Sequence, residues 1–134
     1  MDVIEFIKIK HEGQFRKFTL SPYYIHPVRV ASLVYKHKES HKIDELVIAS
    51  LLHDTLEDTC TTEKEIEDKF GLQVLSLVQE LTTDKEDCIP QGKSDYLANK
   101  MISMSSWALV IKLCDRLDNI ADFFICFRKF YQKV

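Results

Sequence analysis

Strict alternation of apolar and polar residues, which a half-buried strand requires, is almost absent from this chain. Apolar residues recur instead three and four positions apart, and only three glycines and three prolines interrupt them. That pattern leaves packed helices as the fold class, an all-α bundle of about six to seven helices. At 134 residues the length fits one core, so residues 1–134 are read as a single domain.

The periodicity predicts a first helix over 2–15, with Val3, Phe6, Ile7 and Phe15 facing inward. Pro22 ends that segment, and Pro27 suits the first turn of a second helix reaching about Lys38. A third helix spans 43–57, with Leu46, Val47, Ala49, Ser50, Leu52 and His53 around a largely buried cylinder. Thr62 to Glu65 fits a capping box that opens a short fourth helix ending near Gly71, and 72–81 makes a fifth. Residues 82–92 are a long loop, a feature that in compact domains is usually functional or mobile. A sixth helix covers 94–103, and a seventh starts after Ser105 or Ser106, with Trp107, Val110, Leu113 and Leu117 in the core.

A net charge of −3 without any block of lysines or arginines argues against a DNA- or RNA-binding face. One local basic cluster could still hold a small anion. Charges begin at the second residue, which argues against a secretory leader. The most apolar stretch, 123–127, falls far short of the roughly 20 residues a membrane span needs. Cys60, Cys88, Cys114 and Cys126 lack CxxC spacing and are read as free thiols in a cytoplasmic protein, with a two-disulfide scaffold as the alternative.

Within the helical stretch 49–58, His53 and Asp54 stand side by side among leucines. An uncompensated buried carboxylate costs several kcal/mol. A divalent cation would offset that cost, and His26 and Asp115 offer two further donors. Two imidazoles and two carboxylates suit Mn²⁺, Fe²⁺ or Zn²⁺ better than Ca²⁺ or Mg²⁺, and such an ion makes water a nucleophile at neutral pH. Spacing alone leaves a plainer alternative open, in which Asp115 pairs with Lys112 or Arg116 and His26 is a capping or core histidine. Glu57 lies one turn beyond the dyad on the same side, where a carboxylate can manage a proton, with Asp58 as helper; a solvated helix end is the alternative. Asp115, Asn119 and Asp122 share one stripe, and Asn119 could hold a ribose or a base edge. Arg16 and Lys17 would meet phosphate or stack on a base, with plain solvated surface equally open. Lys93 and Lys100 are further phosphate candidates, and Tyr23, Tyr24 and Tyr96 could flank a base.

The segments GlyGlnPheArgLys (13–17), ProTyrTyrIleHisProValArgValAla (22–31), LeuLeuHisAspThrLeuGluAspThr (51–59), PheGly (70–71), LeuThr (81–82) and LysLeuCysAspArgLeuAspAsnIle (112–120) follow in order. In these the chain resembles the HD-superfamily hydrolase domain of RelA/SpoT homologues, especially the small stand-alone alarmone hydrolases, over about residues 3–125. The resemblance implies an Mn²⁺-dependent enzyme that removes pyrophosphate from the 3′ position of (p)ppGpp, leaving GDP or GTP. It implies metal ligands at His26, His53, Asp54 and Asp115, a catalytic acidic pair at Glu57 and Asp58, and nucleoside contacts from Arg16 and Asn119. Some members of the family instead dephosphorylate NADPH at its 2′ position. A nucleotidase and a non-catalytic alarmone-binding module are therefore the alternatives.

Three departures stand out. The loop PheThrLeuSerProTyr (18–23) is one residue longer than the family's and lacks its glycine. Asp118 replaces the usual histidine or tyrosine, adding negative charge next to where phosphate is expected unless its side chain points away. The chain stops at Val134, short for the family, so either the final helices are reduced or a partner copy covers the apolar residues 123–127 as a homo-oligomer. Such a compact hydrolase could be viral or phage-borne.

Overall fold

Asp2 caps the first helix by accepting from the Ile4 amide at 3.3 Å, and Phe6 and Ile7 carry that helix into the core. The computed structural model describes residues 2–84, 86, 89–90 and 92–131, the last two of these without their side chains. In chain order the helices are α1 (Val3–Lys10), α2 (Ile25–His37), α3 (Ile43–Leu52), α4 (Thr55–Asp58), α5 (Glu63–Phe70), α6 (Leu72–Leu81), α7 (Lys93–Ser103) and α8 (Ser106–Tyr131). The short α4 continues α3 after a break at His53 and Asp54, so the described residues form seven helices when that pair is counted as one. No sheet accompanies them among the described residues; an isolated bridge joins Phe15 to Pro22. The all-α bundle is thus present.

α3 is the centre of the molecule. It packs on α2, α6 and α1, while α8 lies across α2 and α6. The core joins Phe6 and Ile7 of α1, Val30 and Val34 of α2, Leu46, Ala49 and Leu52 of α3, Val74 and Val78 of α6, and Ala108 and Ile111 of α8. Thr62 caps α5 by accepting from the Glu65 amide at 3.2 Å, as the capping box predicts, while the Glu65 carboxylate takes Lys10 at 2.8 Å. Gly71 separates α5 from α6 with φ at +90°, a conformation that side chains other than glycine rarely adopt.

Several expectations are corrected here. The first helix stops at Lys10 rather than at 15, because Gly13 turns the chain at φ +77°. Beyond that turn, bonds from Tyr23 to Gln14 (2.9 Å) and from Arg16 to Ser21 (2.8 Å) fold 14–23 back on itself, which leaves Phe15 63% exposed. The third helix is interrupted after Leu52 instead of running to 57. On α8 the residues expected in the core, Leu113 and Leu117, are half-exposed, and the inward stripe is Ala108, Ile111, Asp115, Asp118 and Asp122.

The homo-oligomer expected through residues 123–127 is also corrected. Among the described residues there is no separate apolar C-terminal helix to mediate it. Those positions are continuous turns of α8, whose other face carries the ion-paired Asp118 and Asp122. Phe123 packs edge-on against Phe18 of its own chain at 5.8 Å. Cys60, Cys114 and Cys126 are free thiols, whereas Cys88 and part of the 82–92 loop lie outside the described residues. No helix among the described residues is long and apolar enough to cross a membrane.

Candidate metal centre

The break between α3 and α4 brings two adjacent side chains to bear on one point. On a straight helix, neighbouring side chains diverge by about 100°. Here Asp54 sits at φ −99°, ψ −5°, and His53 Nε2 lies 3.0 Å from Asp54 Oδ2. The Thr55 hydroxyl donates to the Leu52 carbonyl at 2.7 Å and so satisfies a buried acceptor beside the break.

Two other helices complete the cluster. His26, in the first turn of α2, places Nε2 3.2 Å from Asp115 Oδ1 and 3.6 Å from Asp54 Oδ2. His53 Nε2 is 3.8 Å from the same Asp115 oxygen. One donor atom from each of His26, His53 and Asp115 falls within 4.8 Å of the others, and all three residues are buried. Donors about 2.1 Å from one shared ion would stand roughly 3.0–3.4 Å apart. The pairs at 3.0 and 3.2 Å fall in that range and those at 3.6 and 3.8 Å lie a few tenths of an ångström beyond it, so a small contraction would seat a single divalent cation.

The hydrogen-bonding pattern fits the same occupant. His53 Nδ1 lies 2.7 Å from the Ser50 carbonyl, which can only accept, so the proton belongs on Nδ1. Its buried Nε2 makes no well-aligned hydrogen bond but faces the cluster, 3.0 Å from Asp54 Oδ2. Burial works against a charged His53, but Asp54 and Asp115 overcome it and push the group up to about 10. Asp54 and Asp115 are drawn the other way. Burial would raise both, yet the imidazoles hold them well below the usual carboxylate range. A pocket that pulls a proton onto a fully buried imidazole is a pocket that favours positive charge.

Asp115 serves two sides. While Oδ1 faces the imidazoles, Oδ2 takes Lys112 at 3.1 Å and Arg116 at 3.3 Å, and Asn119 Nδ2 donates to Oδ1 at 2.7 Å. The plainer pairing with Lys112 and Arg116 therefore coexists with the cluster. The Tyr23 hydroxyl donates to Asp54 Oδ2 at 2.6 Å, and burial together with Asp54 raises the Tyr23 pKa far above its ordinary value.

A cavity of about 440 Å³ opens on the cluster, lined by Tyr23, His26, Asp54, Glu57, Asp58, Lys93, Lys112, Asp115, Arg116 and Asn119, with Ile89 and Leu97 as its apolar wall. Glu57 is held toward it by the Thr83 amide, which donates to Oε2 at 3.0 Å. Arg16 is buried behind the cavity, donating from Nε to Asp122 at 2.8 Å and from Nη2 to Asn119 Oδ1 at 2.7 Å. Lys17 lies outside it, with its ammonium 5.9 Å from the Phe18 ring centroid. Lys100 and Tyr96 hold the 82–84 segment: Lys100 bonds the Thr82 carbonyl, and the Tyr96 hydroxyl accepts from the Asp84 amide at 2.8 Å.

Sequence reasoning missed Arg29, and it left open whether Asp118 faces phosphate or turns away. Asp118 instead faces His26, with Oδ2 2.7 Å from Nδ1, and takes Arg29 Nε at 2.7 Å on its other oxygen. Burial would raise the Asp118 pKa, but the bonds from His26 and Arg29 lower it. The signal was available. Asp118 and Asp122 are carboxylates one turn apart on a buried helix, and Arg29 stands one turn after His26 on a packed helix.

Comparison with known proteins places the chain in a family and a fold. The HD domain family profile matches residues 4–124. The guanosine-3′,5′-bis(diphosphate) 3′-pyrophosphohydrolase MESH1 of Homo sapiens is 38% identical over 130 residues, covering 94% of this chain and 70% of the human protein. The guanosine-3′,5′-bis(diphosphate) 3′-pyrophosphohydrolase of Aquifex aeolicus is 39% identical over 118 residues, which are 87% of this chain but only 16% of that protein. The solved structure of a metazoan orthologue of SpoT that hydrolyses ppGpp superposes with a TM-score of 0.79 at 29% identity, over 92% of this chain and 68% of that one.

Proposed function

The chain belongs to the HD-domain family, alongside the small metazoan SpoT-like hydrolases, and we propose that it is a metal-dependent guanosine-3′,5′-bis(diphosphate) 3′-pyrophosphohydrolase. The single observation that carries this reading is the buried convergence of His53 Nε2, which makes no well-aligned hydrogen bond, with His26, Asp54 and Asp115 beside the cavity. On this reading those four residues hold the ion. Two imidazoles with two carboxylates suit Mn²⁺, Fe²⁺ or Zn²⁺, and the likeness to the alarmone hydrolases selects Mn²⁺ among them. When bound, the ion supplies Lewis acidity and a water nucleophile at neutral pH.

The chain's own groups do the rest. Glu57, fixed by the Thr83 amide, faces the cavity from one turn beyond the dyad. It orients the attacking water and takes its proton at a carboxylate oxygen, with Asp58 beside it on the cavity wall. Lys93 and Arg116 offset the charge of the transferred diphosphate, and Asn119 meets the nucleoside. Arg16 acts from behind by holding Asn119. Ile89 and Leu97 exclude bulk water from one side, which strengthens every charge interaction within.

The experiment is a hydrolysis panel of ppGpp, pppGpp, ppApp, NADPH and common nucleotides with Mn²⁺, read by product. Pyrophosphate together with GDP from ppGpp supports the proposal. Orthophosphate from NADPH as the dominant product makes the chain a 2′-phosphatase instead. Tight ppGpp binding without turnover makes it a binding module.

A further inference from the structure

His26 and His53 both face the centre through Nε2, but they are held by different means. His53 follows a full helix and finds the Ser50 carbonyl three residues back in its own chain at 2.7 Å. His26 lies in the first turn of α2, where the carbonyl three residues back, that of Tyr23, accepts the His26 backbone amide at 2.9 Å. Its Nδ1 takes a tertiary partner instead, Asp118 on α8 at 2.7 Å.

We propose that Asp118, clamped by Arg29, is a positioning residue that fixes the ring and tautomer of His26 and thereby sets the affinity of the centre for its ion. The inference rests on the reading of His26 as a metal ligand. A carboxylate accepting from Nδ1–H leaves the lone pair on Nε2, aimed at the cluster, and makes that nitrogen a stronger donor than a carbonyl partner would.

Asp118 is itself buried, so its charge needs an answer. Arg29 gives it from α2, one turn after His26, donating from Nε to Oδ1 at 2.7 Å and from Nη2 to Oδ2 at 3.0 Å. That two-point grip fixes the plane of the carboxylate, which a single ammonium would leave free to rotate. Arg29 Nη2 also reaches Asp122 Oδ1 at 2.7 Å. From Asp122 the bonds run on through Arg16 (2.8 Å) and Asn119 (2.7 Å) to Asp115 (2.7 Å). Two donors to the centre, His26 on α2 and Asp115 on α8, are therefore the ends of one unbroken network.

The test titrates Mn²⁺ into the metal-stripped full chain by calorimetry, for wild type, Asp118→Asn and Arg29→Gln. Circular dichroism is measured alongside, and KM is measured at saturating Mn²⁺. Asp118→Asn is expected to weaken Mn²⁺ binding by roughly 10- to 100-fold with the helical signal and KM unchanged, and Arg29→Gln by a smaller factor of about three or more. A purely structural role would move the helical signal or KM along with metal affinity. A folded Asp118→Asn protein with affinity within about twofold of wild type overturns the proposal. Should Asp118→Asn fail to fold, Arg29→Gln decides: Arg29 is about one-third exposed, and unchanged Mn²⁺ affinity there overturns the proposal equally. Failure of wild type to bind Mn²⁺ or another divalent ion removes the metal reading itself, and is seen before any variant is made.

Discussion

The first turns of α8 and the turns after them present one face to the bundle, but they bury opposite chemistry on it. Ala108 and Ile111 are fully buried in the apolar core. From Lys112 onward the same stripe is charged, and Asp115, Asp118 and Asp122 are each less than 5% exposed while Leu113 and Leu117 face out. Each buried carboxylate has a partner: imidazoles, Lys112 and Arg116 for Asp115, and Arg29 or Arg16 for Asp118 and Asp122. The apolar part stabilises by area removed from water. The charged part contributes little net stability and a great deal of geometry, since breaking a buried pair costs far more than forming it gains. The comparison teaches that one helix does both jobs, with Ile111 and Lys112 at the border.

The largest effect should come from the charged half and its partners. Asp54→Asn is expected to reduce turnover to background with the helical signal retained and bound metal lost, measured by product assay and metal analysis; full activity in a metal-loaded variant would remove Asp54 from the centre. Glu57→Gln should lower kcat by about 10²- to 10⁴-fold with far less change in KM, and an unchanged kcat takes it out of the chemistry. The stability contrast comes next. Ile111→Ala should cost about 2–5 kcal/mol in denaturant unfolding, whereas Leu117→Ala should stay within about 0.5 kcal/mol; equal costs would show that the face is misassigned.

A pH effect follows from His53, raised to about 10 from an ordinary 6.5. A raised folded-state value means that the bound proton stabilises the metal-free fold. That contribution is complete below about pH 6.5 and is lost as pH climbs toward 10. The Tm in chelator should fall across this window, and metal uptake at neutral pH should release a proton, read from calorimetry in buffers of different ionisation enthalpy. A Tm that is flat over the window, with no proton released, would contradict it. The smallest effect is expected at Leu20, whose φ of +58° lies in the left-handed region that favours glycine. Leu20→Gly relieves left-handed strain but loosens the unfolded chain, for a net gain of about 0.5 kcal/mol in unfolding free energy.

Much of the centre was legible in the chain. His53 and Asp54 among leucines announced a buried charge that needed company, and the order of the motifs placed His26 and Asp115 with them. The face of α8 was not legible, because apolar periodicity presumes that inward residues are apolar. On this helix the inward residues are carboxylates whose cations come from α2 and from the 11–24 segment. Lys100 and Tyr96 illustrate the same difficulty. Their types suit phosphate and base, but the structure commits them to Thr82 and Asp84, an assignment that no spacing reveals.

By itself the sequence determined the helical class, the cap at Thr62, and the presence of four residues of metal-ligating type, since each follows from residue chemistry within a few positions. Only the tertiary structure decided that α3 breaks at the dyad, that Asp118 turns to His26, and that Arg16 and Arg29 close the network. Those outcomes depend on which charges meet across helices far apart in the chain, and a buried charge takes whatever partner the packing brings within reach.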